Sequence, residues 1–137
     1  MKLNPYLQFN GDCETAFKFY EKCLGGKIVC MMKYEETPAS EETPPDFRDK
    51  IIHVRMMLGE VALMGADSPP ERYSKPSGIA VTLGIEEPAE AERVFKALSE
   101  NGTITMPLEE TFWAKRFGML VDQFGTPWMI NCEKLPA

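Results

Sequence analysis

"GDCETAFKFYEKCLGG" runs from Gly11 to Gly26 and is punctuated as a helix at both ends. Asp12 is placed to cap the start, and Gly25 and Gly26 supply a left-handed stop. Between them Ala16, Phe17, Phe19, Tyr20, Cys23 and Leu24 recur at helical spacing, which predicts one apolar face. Ahead of this helix "NPYLQFN" (4–10) reads as a short strand, and behind it "KIVCMMKY" (27–34) resumes extended character.

The same order returns later. "GIAVTLGI" (78–85) reads as a strand, and Pro88 suits the first turn of a helix. Ala91, Val94, Phe95 and Leu98 form the apolar stripe, "ENG" (100–102) closes it, and "TITM" (103–106) is again extended. Superposing Ala16 on Ala91 puts Phe19 on Val94, Tyr20 on Phe95 and, after one inserted residue, Gly26 on Gly102. Each half then ends in a hairpin. "IIHVRMML" (51–58) turns at Gly59-Glu60 into "VALMGAD" (61–67), and "FGMLVD" (117–122) turns at "QFG" into "TPWMIN" (126–131). The expected fold class is therefore α+β, with two βαβββ modules in a single domain over 1–137. Module one covers 1–67, a hinge 68–77 and module two 78–133. One segment interrupts the pattern: "YEETPASEETPPDFRDK" (34–50) is acidic and proline-rich, and reads as a mobile flap.

Composition narrows the function classes. The chain has 137 residues and a net charge of −6, with no cluster of Lys and Arg. A nucleic-acid partner needs a cationic stripe to displace counterions, so that class is set aside, and an anionic membrane surface with it. No apolar run reaches the ~18–20 residues of a bilayer span. Four scattered cysteines without a CxxC pair, behind a start with no apolar export segment, read as reduced thiols in a cytoplasmic protein.

Three stretches, "PYLQFNGDCETAFKFYEKCLGG", "IIHVRMMLGEVALMGAD" and "FWAKRFGMLVDQFGTPWMIN", carry a resemblance over nearly the whole chain. They resemble the vicinal oxygen chelate superfamily of glyoxalases, bleomycin-resistance proteins and extradiol dioxygenases. Within it they look like the PhnB-like branch, often labelled 3-demethylubiquinone-9 3-methyltransferase-like. The resemblance implies a curled eight-stranded mixed sheet with the helices outside and a ligand site in its hollow. It also implies a homodimer.

Relatives of this kind hold one divalent metal with His and Glu side chains. Carried onto this chain, the four ligand positions fall at or near Pro5, Leu63, Ala80 and Asn131. Only Asn131 offers a donor, and a neutral one, so neither a metal nor any other cofactor is expected. The methyltransferase label implies a Gly-rich loop opening a helix, but "LGG" (24–26) closes one. Whether the chain is an enzyme is left open.

Strand alternation sorts the remaining candidates. Ile52, Val54, Met56 and Leu58 should face the first helix, leaving Ile51, His53, Arg55 and Met57 on the open face. Ile79, Val81, Leu83 and Ile85 should face the second helix, leaving Ala80 and Thr82 open, while Met129 and Asn131 lie opposite Trp128 and Ile130. Phe112 and Trp113 are placed to cover the mouth of the hollow. The expected ligand-binding set is His53, Arg55, Thr82, Phe112, Trp113 and Asn131, with His53 the one catalytic candidate. These groups suit a small acidic or aromatic metabolite, with Arg55 as the anion clamp. The alternative is a metal-dependent or His-assisted lyase or isomerase.

Overall fold

A computed structural model describes residues 1–134. Its elements follow the expected double order. The first unit contains β1 (Tyr6–Phe9), α1 (Cys13–Leu24), β2 (Lys27–Lys33), β3 (Ile51–Leu58) and β4 (Val61–Asp67). The second contains β5 (Val81–Gly84), α2 (Pro88–Ser99), β6 (Thr103–Glu109), β7 (Ala114–Val121) and β8 (Pro127–Glu133). The chain divides into compact units between Ser74 and Lys75. The eight strands form two mixed sheets of four, ordered β1-β4-β3-β2 and β5-β8-β7-β6, each with one parallel pair.

In the first unit α1 lays Ala16, Phe17, Tyr20 and Cys23 on the sheet, all buried. They meet Leu7 and Phe9 of β1 and Val54 and Met56 of β3, also buried. Phe9, Phe17 and Tyr20 pack as tilted and edge-on aromatic pairs, with centroids 5.5–6.4 Å apart. Gly25 ends the helix in the left-handed conformation, its N–H donating to the Glu21 carbonyl.

The start of α1 differs from expectation. Asp12 makes no side-chain cap. Asp67, at the far end of β4, takes that role: its Oδ1 accepts from the N–H groups of Gly11 (2.9 Å) and Cys13 (3.0 Å). Its Oδ2 accepts from Ile51 N–H at 2.9 Å, so one buried carboxyl ties helix start, β3 start and β4 end together. The helix N-terminus favours an acid there.

The 34–50 segment is a compact loop with its own hydrogen bonds, in contrast to the expected flap. Three 3-10 turns follow one another, at Tyr34–Glu36, Pro38–Glu42 and Pro45–Phe47. The Tyr34 and Glu35 N–H groups donate to the carbonyls of Lys50 and Arg48, and the Tyr34 hydroxyl donates to the Asp67 carbonyl. Prolines pre-set the turns, and local bonds replace the ladder that so polar a sequence does not form.

In the second unit Ala91, Val94, Phe95 and Leu98 are buried against β7 and β8, where Leu120, Trp128 and Ile130 are buried in turn. Asp122 organises the β7–β8 turn. Its Oδ1 accepts from Phe124 and Thr126 N–H, and its Oδ2 from the Trp128 indole at 2.8 Å. Strand β5 is shorter than expected: Ile79 lies outside it and is 71% exposed rather than packed on α2.

Candidate functional site

Each sheet turns one face to its helix and leaves the other open. In the first unit the open face carries Tyr6 and Gln8 from β1, Met64 from β4, and His53 and Arg55 from β3. Registers place Tyr6 opposite Met64 and Met64 opposite Arg55, so the three form a row across the sheet. His53 and Arg55 thus lie together, as alternation required.

Ile51 does not join them. Lys33 pairs with Ile51 and Met32 with His53, so Ile52 is an extra residue and the strand bulges there. The bulge turns Ile51 to the helix side, where it is 1% exposed.

Tyr6 is the partner that the sequence reading missed. Its hydroxyl lies 3.1 Å from His53 Nδ1, and the two rings stack with centroids 5.8 Å apart and planes 24° from parallel. Burial holds the Tyr6 phenol above its ordinary range, with Cys13 and Tyr34 adding smaller effects. When the phenol donates, Nδ1 of the neutral imidazole accepts and Nε2 carries the proton; when Nδ1 carries the proton, the phenol oxygen accepts it. The alternation of Tyr6 and Gln8 with buried Leu7 and Phe9 was the signal for it.

Arg55 is half-buried and has neither an ion-pair nor a hydrogen-bond partner among the described residues. The other arginines of the chain's helical and strand elements differ: Arg93 is paired with Glu90 and Arg116 with Glu92. A guanidinium so placed has its donor fork free to meet a carboxylate or phosphate.

The other four candidates belong to the second unit. Thr82 of β5 is exposed, its hydroxyl 3.6 Å from the Met129 sulfur. Asn131 of β8 lies on the same face, opposite Gly84 on β5 and Phe117 on β7. Its Nδ2 donates to Glu133 Oε1 at 3.1 Å, whereas its Oδ1 is buried with no donor. Phe112 and Trp113 precede β7. Trp113 packs edge-on to Phe117, with centroids 5.3 Å apart, and Phe112 packs on Trp113 while remaining 89% exposed. A hollow of about 520 Å3 adjoins Asn131, lined also by Gly84, Ile85, Glu86, Glu87, Lys115 and Glu133.

The residues present do not fit a divalent metal. Pro5 has no side-chain donor, Leu63 is buried on the helix side, and Ala80 precedes β5. The open-face neighbours fit no better: in the first unit Tyr6 and Met64 offer a phenol and a thioether, and in the second Thr82 and Asn131 offer a hydroxyl and an amide. No carboxylate or imidazole enters either set, and no three His, Cys, Asp or Glu side chains gather around one point among the described residues.

Comparison with known proteins agrees with this arrangement of elements. The family model described as 3-demethylubiquinone-9 3-methyltransferase matches residues 1–131. Protein YjdN of Escherichia coli is 34% identical, covering 98% of this chain and 97% of its own. The crystal structure of protein PA1353 from Pseudomonas aeruginosa is 44% identical with a TM-score of 0.89, over 97% of this chain and 98% of that one. A Bacillus cereus structure described as a putative 3-demethylubiquinone-9 3-methyltransferase, PhnB protein, is 27% identical with a TM-score of 0.80, over 96% and 98%. The fosfomycin resistance protein FosX from Mesorhizobium loti is 12% identical with a TM-score of 0.65, over 98% and 93%, a likeness of fold alone.

Proposed function

The chain belongs to the 3-demethylubiquinone-9 3-methyltransferase-like (PhnB) family of the vicinal oxygen chelate superfamily, and from that membership we propose that it binds a small acidic, aromatic metabolite without a metal. Arg55 clamps the acid, and the Tyr6–His53 stack offers an aromatic surface with an Nε2 donor. One observation carries this reading: a half-buried guanidinium with no anion partner among the described residues, in one row with Tyr6. Methyl transfer forms no part of it, since the Leu24-Gly25-Gly26 stretch ends α1 and opens no helix.

Titration calorimetry with 4-hydroxybenzoate and related aromatic acids tests it. Arg55→Ala is expected to weaken binding by roughly 10- to 100-fold, the value of a charge-assisted hydrogen bond pair. Arg55→Lys should recover only part, because an ammonium cannot reproduce the planar fork. Equal affinity in all three proteins would exclude the clamp.

The 3.1 Å contact between Tyr6 Oη and His53 Nδ1 favours a second reading, acid–base catalysis on a bound carbonyl compound. The phenol fixes the imidazole orientation and leaves Nε2 to exchange a proton with substrate. His53→Gln should then remove the limb of the pH–rate profile that the imidazole supplies, and Tyr6→Phe should displace that limb. A profile unaltered in His53→Gln leaves binding as the whole activity. The expected homodimer belongs to the same proposal. Strands β2 and β6 are sheet edges with exposed Val29, Met32, Ile104 and Met106, surfaces that a second copy can cover. Sedimentation equilibrium distinguishes one copy from two.

A further inference from the structure

Ladder partners share a face of their sheet, and in the second unit one row across the open face is made of thioethers. Met129 of β8 pairs with Met119 of β7, and Met119 with Met106 of β6. Neighbouring strands lie about 4.8 Å apart, so both outer methionines stand within side-chain reach of the middle one. The row is accessible: Met119 and Met129 are half-buried and Met106 is 43% exposed. Leu120, Trp128 and Ile130, one position away along the same strands, are buried on the helix side. Met56 shows where a packing methionine of this fold goes, since it lies under α1 and is wholly buried.

A bulge puts the third sulfur in the row. Ile104 pairs with Leu120 and Met106 with Met119, so Thr105 is an extra residue on β6. In an unbroken ladder Met106 would stand opposite Gly118, on the helix side; the bulge re-aims it to the open face. At the other end of the row the Thr82 hydroxyl donates to the Met129 sulfur at 3.6 Å, which engages one sulfur lone pair and leaves the other. The matching row of the first unit reads Tyr6, Met64, Arg55 and Cys30. Met119 thus stands where Arg55 stands, and the charge that would repel a cation is gone.

We propose that Met106, Met119 and Met129 bind a soft monovalent metal ion, Cu(I). Thioether sulfur is neutral and polarisable, and that softness selects Cu(I) over Mg2+, Mn2+ or Zn2+. Each methionine has three rotatable side-chain bonds, so the three sulfurs can turn to one point without moving the backbone. The row lies wholly in the second unit and shares no residue with the Arg55 clamp. It needs none of the His or carboxylate ligands that a divalent ion requires. Binding is reversible coordination, with no bond broken and no change in the oxidation state of the ion.

NMR titration of protein labelled with 13C at the methionine methyls tests this, with Cu(I) kept reduced under anaerobic conditions. The Met106, Met119 and Met129 signals are expected to shift together and saturate at one equivalent. Of the four cysteines only Cys30 is not buried, so Cys30→Ser is titrated beside wild type and should show the same three shifts. In that variant the Met32 and Met64 signals of the first sheet should stay in place. Met119→Leu keeps volume and apolar character, and should weaken binding by about tenfold or more with circular dichroism unchanged. Zn2+ should leave the three methyls unmoved. Arg55→Ala should bind Cu(I) as wild type does while it weakens acid binding, so either site can fail without the other. Three unresponsive methyls, a shift confined to one of them, or shifts lost in Cys30→Ser would each overturn the proposal. So would an equal response to Zn2+, or undiminished affinity in Met119→Leu.

Discussion

Asp67→Ala is expected to lower unfolding stability by about 4 kcal/mol, with three backbone N–H groups losing their acceptor at about 1–3 kcal/mol each and water reaching only the more exposed of them. Gly11, Cys13 and Ile51 are the donors affected, and the carboxyl that serves them is 2% exposed. Against a total of about 5–15 kcal/mol for a domain this is a large share. Urea denaturation should show the midpoint falling while the slope stays constant. Asp12→Ala separates this account from generic helix capping. Asp12 occupies the cap position but makes no side-chain bond, so its removal should stay within about 0.5 kcal/mol. If the two variants lose equal stability, the cap is local and the account is wrong.

The same carboxyl carries a pH signature. Burial raises the Asp67 pKa above the ordinary 3.8, outweighing the backbone hydrogen bonds and Lys50, which lower it. The folded state therefore binds more protons than the unfolded state as this group titrates, and its contribution declines with rising pH. That contribution is fully present below the unfolded pKa and is lost as pH climbs through the raised folded value. Salt-bridged Glu14, Glu90 and Glu110 are shifted downward and act in the opposite sense. The stability difference between wild type and Asp67→Asn isolates the buried group. It should narrow as pH rises above the unfolded carboxylate value and level off once pH passes the raised folded value.

Gly65→Ala is the second large effect, expected to cost about 3 kcal/mol by overpacking. A Cβ at Gly65 would stand 2.7 Å from Phe17 Cε1 and 2.8 Å from the Leu7 carbonyl oxygen. Gly118→Ala should be comparably harmful, with Phe95 Cε1 at 2.8 Å and Leu108 Cα at 2.9 Å. Each glycine makes room for an aromatic of its unit's helix, so shrinking the aromatic should relieve the strain. Phe17→Leu combined with Gly65→Ala should therefore lose less than the sum of the single changes. Thermal unfolding of the four proteins in this cycle measures the coupling, and strict additivity would refute a direct clash.

The two glycines also mark where the duplicated modules diverge. Gly65 lies on β4, between Leu7 and Val54. In the corresponding row of the second unit, Leu83 pairs with Ile130 and Ile130 with Gly118, so the gap has moved one strand over, to β7. The helical stripes superpose residue for residue, Ala16 on Ala91 and Tyr20 on Phe95, and all four are buried. A helix stripe is a local property of spacing, whereas the strand that yields space to an aromatic ring is settled by packing across the sheet.

Periodicity in the chain alone determined the two βαβββ units, the burial of Ala16, Phe17, Tyr20 and Cys23 and of the whole second stripe, and the shared open face of His53 and Arg55, because spacings of 3.6 and 2 residues are written in neighbouring positions, whereas Phe19 and Leu24 of the first stripe stay half-buried. Tertiary structure alone decided that Asp67 caps a helix 54 residues away, that a bulge at Ile52 turns Ile51 inward, that Tyr6 meets His53, and that Asn131 keeps an unanswered oxygen beside Gly84. Those outcomes depend on which strands become neighbours and in what register. That choice is made by burying apolar surface across the whole unit, and no short window of sequence contains it.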